Sequence, residues 1–327
     1  CIRDRGMLGV HIPEEYGGAG FTFKELGVVM EELGRGLTPI PFLSTVVLGA
    51  GALLLAATET HKAELLPLVA TGELRLALAV DDADRDADRP GCAVALRPDG
   101  FTISGSKSYV IDGHTADLLV VAAEDNNGES SLYLVPGDAT GVKRTRLETM
   151  DMTRKLARVD LEEVDVPTSA RLGGPGTAPA TLEQLFDLAV TALAWEQLGG
   201  TQVCLDASVE YAKARHQFGR PIGSFQAVKH KCADMLVRLE SARSAAYHAG
   251  WAAAADPDEL RIAAPLAKAY CSDAYCHVAA DNIQVHGGIG FTWEHDAHLY
   301  FKRAKSTQLL FGDSTHWRAV LAGRIGI

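Results

Sequence analysis

Residues 207–234 bring a cation, an aromatic ring and a chain break together between two helix-forming stretches. Tyr211 and Arg215 stand at i and i+4, on one side of a helix. The run Phe218-Gly219-Arg220-Pro221 ends that helix, because Gly suits the C-terminal turn and Pro forbids continuation. Ser224 is placed to cap a second helix, with Gln226 in its first turn. A corner that presents a guanidinium beside free helix-end amides suits a diphosphate. Taken alone, the same pattern also describes a helical hairpin with an exposed Arg. A second stretch, Gln284-Val285-His286-Gly287-Gly288, lies downstream. Its two glycines lack side chains, so backbone amides there can approach a ligand closely.

Together and in this order, the two stretches resemble the C-terminal helical domain of acyl-CoA dehydrogenases. The opening Gly6 to Gly20, which contains Gly17-Gly18-Ala19-Gly20, extends the resemblance over nearly the whole chain. It is specific in the C-terminal half and weak in the middle. The resemblance implies FAD as cofactor and an acyl-CoA thioester as substrate, in the degradation of fatty acids or steroids. A carboxylate removes the α-proton and the flavin takes the β-hydride, with electron-transfer flavoprotein as the expected acceptor. It assigns cofactor binding to Arg215, Phe218, Gln226, Gln284, Val285, His286, Gly287, Gly288 and Ser314, with Tyr109 on the flavin-ring side. In the family, the two C-terminal motifs grip the FAD of a neighbouring subunit.

The ring side and the base depart from the family. Where the family has Thr-Glu-Pro-Gly, this chain reads Ala79 to Asp88, a strongly acidic run that would repel a flavin and CoA phosphates. In Lys107-Ser108-Tyr109-Val110-Ile111-Asp112-Gly113 the aromatic residue is kept, but Ile111 replaces a Thr that donates to the ring. The commonest base position, a Glu, is Gly312 here. Asp313 follows one residue late, which on a helix swings it about 100° away. The alternative base position is Ala189, and Val190 stands where an Arg toward substrate is expected. Glu196, two turns beyond Ala189, reads either as a displaced base or as a buried polar contact.

Three kinds of segment must position these groups. Residues 1–72 read as an N-terminal helical domain, truncated at its start. Within it Thr22 to Glu25 forms a capping box ahead of Leu26, Val29, Met30 and Leu33. Residues 42–57 are nearly all apolar and read as a buried helix. Residues 73–175 read as a β domain of sandwich or barrel type, with short strands at 76–80, 93–96, 101–103, 118–123, 131–135 and 164–167. Gly173 to Gly176 is a linker, and residues 176–327 read as a four-helix bundle opened by a second capping box at Thr181. The expected fold is thus α+β and multidomain: helical, β, helical.

Composition sets the outer limits. At 327 residues, 47% hydrophobic and 22% charged, the chain is that of a globular protein with two or three domains. The net charge of −11 and the lack of a basic stripe argue against nucleic acid. The longest apolar run, Val46 to Ala57, is far short of a membrane span, and no leader precedes it, so a cytoplasmic protein is expected. The six cysteines form no CxxC and read as reduced thiols. Glu294 to His298 reads as a solvated helix start rather than a metal site.

Three readings follow. One is the FAD-sharing subunit of a hetero-oligomer, whose unlike partner, a second acyl-CoA dehydrogenase-like chain, supplies ring contacts and base. Another is a self-sufficient homo-oligomer with an unusual base. The third is a flavin oxidase or scaffold of the same fold.

Overall fold

A computed structural model describes residues 6–82 and 91–327. Cys1, and the acidic run from residue 83 onward, lie outside the described residues. The chain forms two compact units. Unit 1 holds residues up to Phe21, Pro39–Thr149 and Arg154–Ala189; unit 2 holds Thr22–Thr38, Met150–Thr153 and Val190–Ile327.

In unit 2, helix α1 (Phe23–Arg35) starts on the expected capping box. The Lys24 amide donates to Thr22 Oγ1 at 3.3 Å and the Thr22 amide to Glu25 Oε2 at 2.9 Å. In unit 1, the apolar stretch winds as a π-helix over Leu43–Gly49 and continues as α2 (Ala50–Ala56), followed by α3 (Glu59–Ala70). Every residue of the π-helical stretch is buried. Thr45 Oγ1 locks it to the next element by accepting from the Leu76 amide at 3.1 Å and donating to the Leu76 carbonyl at 3.2 Å.

The middle of the chain forms one eight-stranded mixed sheet. Its strands are β1 (Leu76–Ala79), β2 (Ala93–Arg97), β3 (Gly100–Ile111), β4 (Leu118–Glu124), β5 (Ser130–Pro136), β6 (Val142–Leu147), β7 (Leu156–Pro167) and β8 (Arg171–Leu172). The order is β6-β7-β3-β2-β4-β5-β8. Strand β1 lies parallel to β4 over Leu76–Ala79, while β2 meets β4 only at Ala93 and Glu124, so the sheet forks at β4. The sequence reading shortened β3 and β7 and missed β6. Strand β6 is Val142-Lys143-Arg144-Thr145-Arg146-Leu147 at the sheet edge, where solvated charge rather than apolar alternation is what pairing tolerates.

Helix α4 spans Ala178–Ala214. It begins a turn before the expected cap, so Thr181 lies inside it. Pro179 sits in that first turn, where its missing N–H is not needed. A hairpin of β9 (His216–Gln217) and β10 (Arg220–Pro221) leads to α5 (Gln226–Ala255), α6 (Pro257–His286), α7 (Ala297–Leu309) and α8 (Ser314–Ile325). From Val190 onward these helices form the bundle of unit 2, with α5 and α6 antiparallel neighbours and α7 and α8 against α6. Its core holds one charged cluster: the Arg303 guanidinium donates to Glu196 at 3.2 Å and to Thr153 Oγ1 at 2.9 Å, with Asp151 at 3.4 Å. No helix among the described residues is long and apolar enough to cross a membrane.

Candidate functional site

The Arg215 corner is a hairpin, not a helix break. Helix α4 stops at Ala214, and Phe218 (φ 53°) and Gly219 (φ 77°) are the two central residues of a tight turn. Two consecutive positive φ angles match the twist of a two-residue hairpin and favour Gly at the second site. The Arg215 amide still donates to the Tyr211 carbonyl, and the Ile222 amide to the Arg215 carbonyl, both at 2.8 Å, so the hairpin base is closed. Ser224 does not cap α5: its hydroxyl turns back to the Pro221 carbonyl at 2.7 Å, and the N-cap is Phe225 with no side-chain bond. The first amides of α5, at Gln226 onward, are therefore left without a side-chain acceptor.

Arg215 and Gln226 are exposed, and Phe218 is 91% exposed at the hairpin tip. No ion pair among the described residues engages Arg215. Arg220 is different, because its guanidinium sits 4.1 Å over the Phe225 ring. Beside this corner lies a cavity of about 450 Å³ with mainly apolar walls that include Val209, Ala212, Pro221, Val228 and Cys232.

The second motif meets the first through tilted ring contacts. Tyr211 on α4 lies 4.4 Å from His286 at the end of α6, and His286 lies 4.3 Å from His295. Ser208 donates to Asn282 Oδ1 at 2.9 Å, fastening the same two helices one turn back. His286 Nδ1 lies 2.8 Å from the Asn282 carbonyl, which can only accept, so Nδ1 carries the proton and Nε2 is an acceptor. Burial lowers the His286 pKa and the neighbouring His295 adds to the effect, against the Asn282 bond, which raises it; the net shift favours the neutral ring. Gly287 (φ 64°) and Gly288 have nothing within 4 Å of where a Cβ would stand, so the backbone is bare on that side. Gln284 is exposed, whereas Val285 is buried and offers only its backbone.

Arg215, Phe218, Gln226, Gln284 and the two glycines thus gather at one end of the bundle. The residues present fit an adenosine diphosphate group: an uncommitted guanidinium, bare amides and an apolar slot. Ser314 is placed elsewhere. Its hydroxyl donates to Asp273 Oδ1 at 2.6 Å, and Asp273 precedes Gly287 on α6 by about 20 Å of helix rise. Tyr109 belongs to unit 1, where it is 62% exposed at φ 57° in an irregular part of β3. Ile111, in place of the ring-side hydroxyl, is buried in the unit 1 core.

Neither carboxylate suggested as base is free. Asp313 is the N-cap of α8 and accepts the His316 amide at 2.8 Å. Glu196 is buried and ion-paired with Arg303. Gly312 has φ 100°, and Ala189 and Val190 are buried. Sequence reasoning missed Phe225, Asp273 and Lys268. The last is fully buried and donates to the Thr307 and Gln308 carbonyls at 2.5 and 3.1 Å, closing the C-terminus of α7. Asp273 and Lys268 act through long-range pairs that carry no local signal, whereas Phe225 meets Arg220 only five residues away, within the hairpin.

Comparison with known proteins bears on this arrangement. The profile "Acyl-CoA dehydrogenase, C-terminal domain" matches residues 180–326, and "Acyl-CoA dehydrogenase, N-terminal domain" matches residues 2–73. The chain is 39% identical over 306 residues to acyl-CoA dehydrogenase IpdE2 of Mycobacterium tuberculosis, covering 93% of this chain and 79% of that one. It is 38% identical over 313 residues to acyl-CoA dehydrogenase FadE34 of the same organism, covering 95% of this chain but only 40% of that longer relative. Among solved structures, a chain of the ChsE4–ChsE5 complex from Mycobacterium tuberculosis superposes with a TM-score of 0.90 at 30% identity, over 99% of this chain and 86% of that one. The chain therefore belongs to the acyl-CoA dehydrogenase family of FAD-dependent oxidoreductases.

Proposed function

We propose that this chain is the FAD-sharing subunit of a hetero-oligomeric acyl-CoA dehydrogenase and lends no base of its own. One observation carries the reading: the adenosine side at Arg215 is intact, while every position considered for the base is empty or committed. Gly312 and Ala189 have no carboxylate, Asp313 caps a helix and Glu196 neutralises Arg303. When bound, FAD supplies the acceptor for a hydride from the acyl β-carbon. Arg215 would neutralise its diphosphate and the Gly287–Gly288 backbone would admit it closely, while the unlike chain would meet its ring. The α-proton passes to a carboxylate of the unlike chain, in a site dry enough to raise that group's pKa. The assembly in the ChsE4–ChsE5 complex supports pairing of this chain with a second acyl-CoA dehydrogenase-like chain. A bulky, steroid-type acyl-CoA as substrate, electron-transfer flavoprotein as acceptor and a cytoplasmic location complete the proposal.

The test is to purify the chain alone and together with such a partner. Alone it should be colourless or nearly so, and inert toward acyl-CoA; together they should form a yellow, active complex. Stoichiometric FAD in the isolated chain, bleached by acyl-CoA, would remove the heteromer reading.

A further inference from the structure

The turn between α7 and α8 is where the family's commonest base would stand, and its conformation is fixed from several sides. Phe311 (φ 61°) and Gly312 (φ 100°) are both in the left-handed half of backbone space. The Trp317 indole donates to the Phe311 carbonyl at 2.9 Å, and the Gly312 amide to the Leu309 carbonyl at 3.1 Å. Asp313 holds the first turn of α8, and the Ser314 hydroxyl is tied to Asp273. Over this turn lies the exposed imidazole of His316, edge-on to Trp317 at 5.4 Å. A Cβ built on Gly312 would stand 2.5 Å from His316 Cδ2 and 3.0 Å from Cγ. No real Cβ makes contacts that short, and a φ of 100° strains any L side chain further.

We propose that His316 closes the base position of this chain, its ring filling the space through which a side chain at residue 312 would leave the backbone. Restoring a side chain at residue 312 then requires both a shift of this ring and a strained backbone. Gly312→Glu would add a side chain that can leave the backbone only if the His316 imidazole turns out into solvent, and that still carries the strain of φ 100°. His316 is thus a positioning residue: its ring touches the turn and keeps this chain's half of the chemistry silent. The inference deepens the subunit reading above and rests on it for its functional meaning, but the packing on which it stands belongs to this chain alone.

The experiment is a double-mutant cycle in the full-length chain, read by thermal unfolding. Gly312→Ala alone should lower the Tm by several degrees. In the His316→Ala background the same change should cost clearly less, because the clash is gone and only backbone strain is left. Equal losses in the two backgrounds would show that the ring does not close position 312 and would overturn the inference. In the complex with the partner chain, Gly312→Glu should leave turnover no higher than wild type, and His316→Gln should leave it within about twofold. A large gain from Gly312→Glu alone would prove the position open. Abolished turnover in His316→Gln, with flavin and Tm retained, would make the imidazole a proton acceptor and overturn the closure. These outcomes separate from failure of the subunit reading, since coupling between residues 312 and 316 is measured without flavin or partner.

Discussion

Removing the Arg215 guanidinium should loosen FAD without loosening the protein. The side chain is exposed, and no ion pair among the described residues holds it. Its backbone, by contrast, is bonded at both ends of the hairpin, and those bonds survive truncation. Arg215→Ala should therefore leave the unfolding free energy of the flavin-free chain unchanged within about half a kcal/mol, the range of ordinary surface substitutions. Loss of a charge-assisted contact to a diphosphate costs roughly 1.5–3 kcal/mol. At 1.4 kcal/mol per decade, that is about a 10- to 150-fold weaker Kd for FAD. Arg215→Lys keeps the charge but not the planar fork, so it should fall between wild type and Ala. The assay is flavin retained by the assembled complex after gel filtration, followed by titration of the stripped protein with FAD. Full flavin occupancy in the Ala variant, with a Kd within about twofold of wild type, would refute the assignment of Arg215 to the diphosphate, since a 1.5 kcal/mol contact predicts more than that.

Four further outcomes follow from the packing. Asp313→Asn should cost at most the value of a cap, about 0.5–2 kcal/mol in stability, and leave turnover of the complex nearly intact; an inactive but fully flavinated variant would reinstate Asp313 as base. Glu196→Ala removes one of the two carboxylates beside the buried Arg303 and leaves Asp151 as the other, so a loss below the roughly 3–5 kcal/mol of a wholly unpaired buried charge, but above the about 0.5 kcal/mol of a surface change, is expected by denaturant titration. Burial raises the Asp112 pKa against the pull of Ser44, Arg154, His114 and Lys155. Its raised value means that its contribution is full below the ordinary carboxylate range and lost as pH rises through the folded-state pKa. Asp112→Asn, which keeps an acceptor for the Ser44 hydroxyl now at 2.8 Å and tolerates φ 54°, should accordingly raise the Tm at neutral pH and not at acid pH. Asp273 runs the other way: burial raises its pKa, but bonds from Ser314, Arg318 and Gln308 and the Arg318 charge hold it below the usual value. Its contribution is present above the unfolded pKa and lost as pH falls through the folded one, so Asp273→Asn should flatten the acid limb of a Tm–pH curve.

What was legible in the sequence was local chemistry. The Thr22 capping box needs four adjacent residues, and its two hydrogen bonds form as expected. Arg215, Phe218, Gln226 and the Gln284–Gly288 strip could be marked because their types repeat a family pattern, and Tyr211 against His286 brings them to one end of the bundle. Phe218-Gly219-Arg220-Pro221 reads in sequence as a helix terminator, because a Gly ahead of a Pro suits that end as well as it suits a hairpin; only the paired positive φ angles separate the two. Strand β6 hid because an edge strand of Lys, Arg and Thr has no apolar period. Most opaque were partners far apart in the chain. Nothing near Glu196 announces Arg303, and nothing near Ser314 announces Asp273, yet those pairs decide whether a carboxylate is free to act or a hydroxyl is free to turn.

The number of flavins per chain depends on both the Arg215 corner and the turn at 309–314. If the chain used its own turn at 309–314 for chemistry, each copy would need a base there, and Gly312, at φ 100°, offers none. If it used only its Arg215 corner, each copy would lend one adenosine grip to a flavin completed by another chain. The second case predicts one flavin per pair of unlike chains, with every flavin lost when Arg215→Ala and Gly287→Leu are combined in this chain. Activity would then vanish although the base, carried by the partner, is untouched. Gly287→Leu is chosen because the space beside that backbone is empty within 4 Å, so the new side chain would fill the approach to the amides rather than clash with the fold. Its φ of 64° adds some strain, so the Tm of the flavin-free chain must be measured alongside. Two flavins per pair in the wild-type complex, or one that persists after both substitutions, would place a flavin away from this corner. The adenosine grip would then not be what this chain contributes.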